Sequence, residues 1–253
     1  MKNIILIGSG NVATHIGLAL VNNGYNIKQV WSRKLKNAKI LAQKLNCKST
    51  TSLNNLLNAD LYIISIKDDI LKSTVNKLNK SNIVHTSGSI GLECFEKKNK
   101  NFGIFYPLQT FNINIKIDIK KTPILIEASN KNFEKKILKI GNNISEKVIL
   151  MTSIKRKQLH IAAVFACNFS NHMYTIADSI LKKSNIDFNL LLPIINQTVN
   201  QLQKNNPKEI QTGPAKRKDK KIIQYHIDNL TNKNTKEIYQ LISKSIMEND
   251  KSN

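Results

Sequence analysis

The 253 residues predict an α/β chain: an N-terminal doubly wound parallel sheet followed by an all-α C-terminal domain. Three observations carry this reading. From Met1 to about Leu150, short apolar runs alternate with amphipathic stretches, the pattern of parallel strands joined by crossover helices. From about Thr152 onward the strand signal vanishes and helical periodicity remains. Between the first strand and the first helix lies Gly8-Ser9-Gly10-Asn11-Val12-Ala13, with small residues at three set positions of a tight turn. The predicted domains are 1–151 and 152–253, joined near Leu150–Ser153.

Asn3–Ile7 is a β-rich run, and Val12–Asn23 follows with Val12, Ile16, Ala19 and Leu20 on one helical face. Ile27–Trp31 is the second strand. Lys36–Leu45 is helical through Ala38, Leu41, Ala42 and Leu45. Leu61–Ile66 is almost continuously apolar, as a parallel strand buried on both faces requires. Ile70–Leu78 reads as helix, and Asn82–His85, Gly103–Tyr106 and Pro123–Glu127 as strands. In the second half, Lys157–Lys183 reads as one long helix, with Phe188–Gln203, Lys220–Asn229 and Lys236–Glu248 after it. The polar end, Asn249–Asn253, is expected to fray.

Lys and Arg total 39 against 17 Asp and Glu, a formal charge of +22 that suggests nucleic acid or a membrane surface as partner. The lysines are spread along the whole chain, and Asn and Ile are abundant beside them, a bias that AT-rich codons produce. Nucleic acid is therefore the less favoured partner, and no helix-turn-helix or aromatic ribonucleoprotein signature accompanies the charge. Such a field still attracts anionic ligands. Cys47, Cys94 and Cys167 form no CxxC pair, and His15, His85 and His172 show no metal-ligand spacing with one another, so neither a disulfide framework nor a metal is expected. The opening apolar run is too short for a leader, and no stretch is long enough to span a bilayer, so the expected location is cytoplasmic.

The glycine turn has the form G-x-G-x-x-A. Gly8 permits the turn off the strand, Gly10 lets backbone amides of Ser9–Val12 approach a pyrophosphate, and Ala13 lets the helix pack close to the sheet. The helix start adds free N–H groups and a partial positive charge. This is the dinucleotide-binding signature of a Rossmann domain. At the end of the second strand, where NAD binding calls for an acid, the chain has Trp31-Ser32-Arg33-Lys34. Ser32 can hydrogen-bond, and Arg33 can hold a 2′-phosphate bidentately, so NADP is expected over NAD. Ser65, Ile66 and Asp68 follow the third strand, and Thr86, Ser87 and Gly88 the fourth. Both loops should border the nicotinamide side, since ligands of open α/β sheets sit at the carboxyl ends of strands. Asp68 and Asp69 are equally suited to cap the helix near Ile70.

The succession GSGNVA, WSRK, SIKDD, HTSG, YPLQTF, LHIAAVFACNF and TGPAKRKD resembles a Rossmann-like family whose C-terminal half is a domain of unknown function, DUF2520. More distantly the chain is similar to pyrroline-5-carboxylate reductase, to the 6-phosphogluconate and β-hydroxyacid dehydrogenases and to F420-dependent NADP reductases. The resemblance implies an NADP-dependent oxidoreductase whose helical domain closes the substrate cleft and builds a homodimer. It also draws Tyr106 and Gln109 into the site, with Tyr106 standing where the family tends to have His. Two further departures are Leu159 before His160, where the family tends to have Tyr, and Lys218 between Arg217 and Asp219, where it tends to have Gly.

Hydride transfer to a small carbonyl or imine substrate needs a proton donor and an orienting group. His160, on an otherwise apolar helix, is the candidate acid. Asn171, eleven positions and about three turns on, returns to its face, and Asn168 lies at a moderate angle to it. A satisfied core histidine explains His160 as well. In the turn after Thr212, Arg217 is suited to a substrate carboxylate, and Asp219 either orients it or caps the next helix. The alternative to an enzyme is a non-catalytic dinucleotide-binding or redox-sensing protein, which the Tyr106 departure favours.

Overall fold

The computed structural model describes residues 1–96 and 99–249. The remainder of the expected frayed end, 250–253, lies outside the described residues. The chain divides into two compact units, Met1–Asn168 and Phe169–Asn253.

The first unit is built on an eight-stranded sheet. Its strands are β1 (Asn3–Ile7), β2 (Asn26–Trp31), β3 (Lys48–Thr50), β4 (Leu61–Ile64), β5 (Ile83–His85), β6 (Phe102–Pro107), β7 (Ile124–Ala128) and β8 (Val148–Leu150). They lie in the order β3-β2-β1-β4-β5-β6-β7-β8. The first six run parallel, and the order reverses direction at β1, as in a doubly wound sheet. β7 pairs antiparallel to β6, with Tyr106 opposite Leu125 and Ile104 opposite Glu127, and β8 runs parallel to β7. The sheet is thus mixed at one edge. The short β3 and β8, and the reversal at β7, go beyond the predicted strands; three residues are too few to show a period.

Alternation along β1 sets up two cores. Ile4 and Leu6 enter one with α1 (Asn11–Asn22), α2 (Leu35–Lys44) and α4 (Lys131–Ile144), while Ile5 and Ile7 enter the other with α3 (Leu71–Lys77). Each fully buried Ile or Leu contributes about 1.5–3 kcal/mol. α4, also beyond the predicted elements, presents Phe133, Ile137, Ile140 and Ile144 to the core and is capped by Asn130, whose side chain accepts from the Phe133 amide.

The predicted long helix is α5 (Ser153–Ala163), a π-helical turn over Val164–Phe169, and α6 (Ser170–Lys182). α5 belongs with the sheet, since Leu159 packs on Ile104, Tyr106 and Leu125. The unit boundary therefore falls at Asn168, beyond Met151. The second unit continues with α7 (Leu192–Leu202), α8 (Lys220–Asn229) and α9 (Lys233–Asn249). Its small core joins Ala215, Ile223 and Ile227 to Tyr239, Ile246 and Met247.

Candidate active site

The carboxyl ends of the parallel strands open onto one cleft of about 1100 Å³, lined by residues of the first unit. A smaller cleft of about 310 Å³, beside Met1, Tyr25 and Lys139, holds none of the predicted site residues.

At the glycine turn the two glycines answer to different neighbours. Gly8 has φ +129°, and a Cβ there would stand 2.0 Å from the Ser65 carbonyl oxygen, so the fold itself demands glycine. Gly10 has ordinary backbone angles, and a Cβ would meet nothing within 4 Å. The space above Gly10 is open cleft, which suits a group that must approach the backbone. No side chain caps α1 and no acid sits in its first turn, so its amides remain available to an anion. Ser9, Asn11 and Val12 line the same wall. Ala13 is fully buried and lines no part of it, serving the helix–sheet contact.

Ser9 and Ser32 are joined hydroxyl to hydroxyl at 2.9 Å, which fixes the floor beside Arg33. Arg33 is exposed and lines the cleft. Ser65 and Thr86 meet through their hydroxyls at 3.1 Å, and with Ile66, Asp68, Ser87 and Gly88 they line the next stretch. Neither Asp68 nor Asp69 is a helix cap; both lie within the first turn of a short 3-10 segment whose N-cap position is Lys67.

Beyond these loops, Tyr106 Oη lies 2.9 Å from His160 Nδ1, the rings edge to face. Tyr106 is 8% exposed, and burial pushes its phenol above the ordinary value, so it keeps its proton at neutral pH. Gly88 is held at this contact: a Cβ on it would come within 2.6 Å of His160 Nδ1 and 2.9 Å of Tyr106 Cζ. Gln109 and Asn168 line the cleft with this pair. The π turn explains Asn168: its residues advance by less than the roughly 100° of an α-helix, which brings Asn168 toward the face of His160. The same turn breaks the α spacing that aligned Asn171 with His160; Asn171 lies in the second unit and does not line the cleft. Thr212, Arg217 and Asp219 also lie in the second unit. Thr212 and Arg217 are exposed, and Asp219 caps α8, accepting from the Ile222 amide at 3.2 Å.

Leu108, Ala163 and Cys167 line the cleft without having been predicted, since small and apolar side chains carry no chemical signal. The loop after β6 is tied to the glycine helix: Asn11 Nδ2 donates to the Phe111 carbonyl and His15 Nε2 to that of Asn112, each at 2.9 Å.

His85, at the end of β5, is fully buried against Phe95. The Ser87 amide donates to its Nδ1, which places the ring proton on Nε2. Burial, aided by the Arg156 charge, pushes its pKa from 6.5 down to about 3. The unfolded chain therefore takes up this proton at higher pH than the folded one, and stability falls as pH drops from 6.5 toward 3. One such proton amounts to about 1.4 kcal/mol per pH unit. Urea midpoints measured from pH 7 to pH 4 are expected to show a shallower acid slope in His85→Phe than in the wild type.

The fold and the cleft define a Rossmann-type dinucleotide-binding protein with a helical C-terminal unit. Residues 3–86 match the family described as NADP oxidoreductase, coenzyme F420-dependent, and residues 122–246 match the domain of unknown function DUF2520. A structure of a candidate NADP oxidoreductase from Bacteroides fragilis is similar over 98% of both chains, with 40% identity and a TM-score of 0.91. The chain belongs to this family of NADP oxidoreductases carrying DUF2520. Two more distant structures share the fold. A Thermotoga maritima protein has 21% identity and a TM-score of 0.75, over 97% of this chain and 99% of its own. An imine reductase from Myxococcus stipitatus in complex with NADP+ has 13% identity and a TM-score of 0.65, over 97% and 92%. No curated protein matches the chain. Among the described residues no helix is long and apolar enough to cross a membrane, and no group of three His, Cys, Asp or Glu is placed to hold a metal ion.

Proposed function

We propose that the chain is an NADPH-dependent reductase of a small carbonyl or imine compound. The observation that carries this reading is the hydrogen-bonded Tyr106–His160 pair in the same cleft as the open glycine turn. NADPH supplies the hydride. The amides at Gly10 and the start of α1 hold its pyrophosphate, and Arg33 with the Ser9–Ser32 pair holds the 2′-phosphate. Tyr106, kept protonated by burial, gives its phenol proton to the oxygen or nitrogen that gains charge, and His160 Nδ1 is within reach to restore it. Gln109 and Asn168 orient the substrate. The structure of the imine reductase bound to NADP+ supports the same cofactor, and imines as one substrate class.

NADPH fluorescence titration followed by a screen of cyclic imines, ketones and aldehydes tests the reading. Tyr106→Phe is expected to retain NADPH affinity and to lose about 10²-fold in turnover. NADPH binding without turnover of any compound would favour the non-catalytic alternative. Arg33→Asp places a carboxylate against the 2′-phosphate and is expected to weaken NADPH about 10²-fold or more while leaving NADH within a few-fold. Equal losses for the two dinucleotides would exclude Arg33 from that contact.

A homodimer and a cytoplasmic location complete the proposal. Exposed Leu190, Ile194 and Leu241 in the second unit support the dimer, being 70%, 62% and 69% exposed in the single chain. Light scattering on the purified protein distinguishes dimer from monomer.

A further inference from the structure

We propose that Arg156 is the positioning residue of the Tyr106–His160 pair, its buried guanidinium clamping three elements at the spacing that lets the two rings meet. The inference rests on the reading of that pair as the proton-donating group. Arg156 sits on α5 four residues before His160, so both side chains leave the helix on one side. It is 0% exposed, the largest of the fully buried side chains, whereas the other lysines and arginines among the described residues are exposed or half-buried.

Its contacts explain what a buried cation does there. Nη1 meets Glu127 Oε2 at 2.9 Å, on the strand beside β6 and thus beside Tyr106. Nη2 donates to the Ile90 carbonyl at 2.5 Å, at the end of the loop that carries Ser87 and Gly88, and to Ser153 Oγ at 3.3 Å. Ser153 in turn donates to Glu127 Oε2. One planar fork therefore ties α5, the loop after β5 and β7 together, and these supports surround the point where Gly88, Tyr106 and His160 touch. The clearance there is less than one methyl group, since a Cβ on Gly88 would overlap both rings. A small displacement of α5 opens the 2.9 Å bond. Lysine carries the charge but not the fork, and so cannot hold both the carboxylate and the carbonyl in one plane.

The clamp also contributes charge. Tyr106 faces Arg156 and His160 from α5 and Asp68 from the loop after β4; Arg156 draws its phenol pKa down, against burial and Asp68. Position and charge can thus be separated by two variants. Arg156→Lys keeps the charge, so Tyr106 is expected to titrate as in the wild type, while the imidazole signals of His160 lose their hydrogen-bonded signature. Arg156→Met is expected to lose that signature and to move the Tyr106 titration up. Ultraviolet difference titration read against Tyr106→Phe isolates this tyrosine, and nitrogen-edited spectra read against His160→Ala isolate the histidine. Both measurements use the full chain saturated with NADPH and need no substrate, so they stand whether or not turnover is found.

Unchanged His160 signals in both variants would overturn the proposal. Should Arg156→Met fail to fold, the double variant Arg156→Leu/Glu127→Leu removes both charges together, and retention of the His160 signature there overturns it equally. If Tyr106→Phe and His160→Ala both turn over at the wild-type rate, the reductase reading of the pair fails while the clamp is still judged by the spectra.

Discussion

Replacing Gly8 by alanine is expected to abolish NADPH binding and to lower the unfolding free energy by several kcal/mol. The φ of +129° lies where side chains are rarely accommodated, at a cost of about 1–3 kcal/mol. The added methyl would also stand 2.0 Å from the Ser65 carbonyl, whose own amide is bound to Ile7 at 2.8 Å, so neither β1 nor β4 can yield without breaking the ladder. Overpacking of this kind adds about 1–3 kcal/mol. Gly10→Ala is the control. Its methyl meets nothing in the protein, so thermal stability is expected to stay near the wild type while NADPH affinity falls at least tenfold. Wild-type NADPH affinity in Gly10→Ala would show that no ligand passes over that residue.

Glu127→Ala is expected to cost about 3–5 kcal/mol, because it leaves the guanidinium of Arg156 wholly buried with no counter-charge. Glu127→Gln, which keeps an acceptor oxygen, should cost less. Replacing both partners by leucine should recover much of the loss, since the desolvation penalty leaves with the charges. Urea unfolding of the four proteins checks the order. A loss from Glu127→Ala of under about 1 kcal/mol would mean that water reaches the pair and that its burial contributes little.

Much of the nucleotide half was legible before folding because its signals are local. The G-x-G-x-x-A turn, the missing acid after β2 and the apolar strand runs each lie within a few consecutive residues, and the backbone places them at the carboxyl ends of parallel strands. Of the residues drawn into the site from the sequence, those up to Asn168 gather along one cleft, apart from Ala13, which turns into the core. The helical half was less legible. His160 and Asn171 were aligned by assuming unbroken α geometry; a single π turn breaks that spacing, and Asn168 lines the cleft with His160 while Asn171 does not. Arg156 stood in the tract Lys155-Arg156-Lys157 and looked like one more of 39 basic residues. Only burial distinguishes it, and burial depends on strands and loops far away in the chain.

The sequence by itself determined the alternation of strand and helix, the glycine turn and the preference for a 2′-phosphate, because each depends on the conformation or chemistry of adjacent residues. The tertiary structure alone decided that β7 and β8 run against the other six strands, that Gly88 must lack a side chain because His160 and Tyr106 meet there, and that one arginine among many is a buried clamp. The physical reason is the same throughout. Strand direction, close approach and desolvation are properties of pairs of residues distant in sequence, and they exist only once the chain has packed.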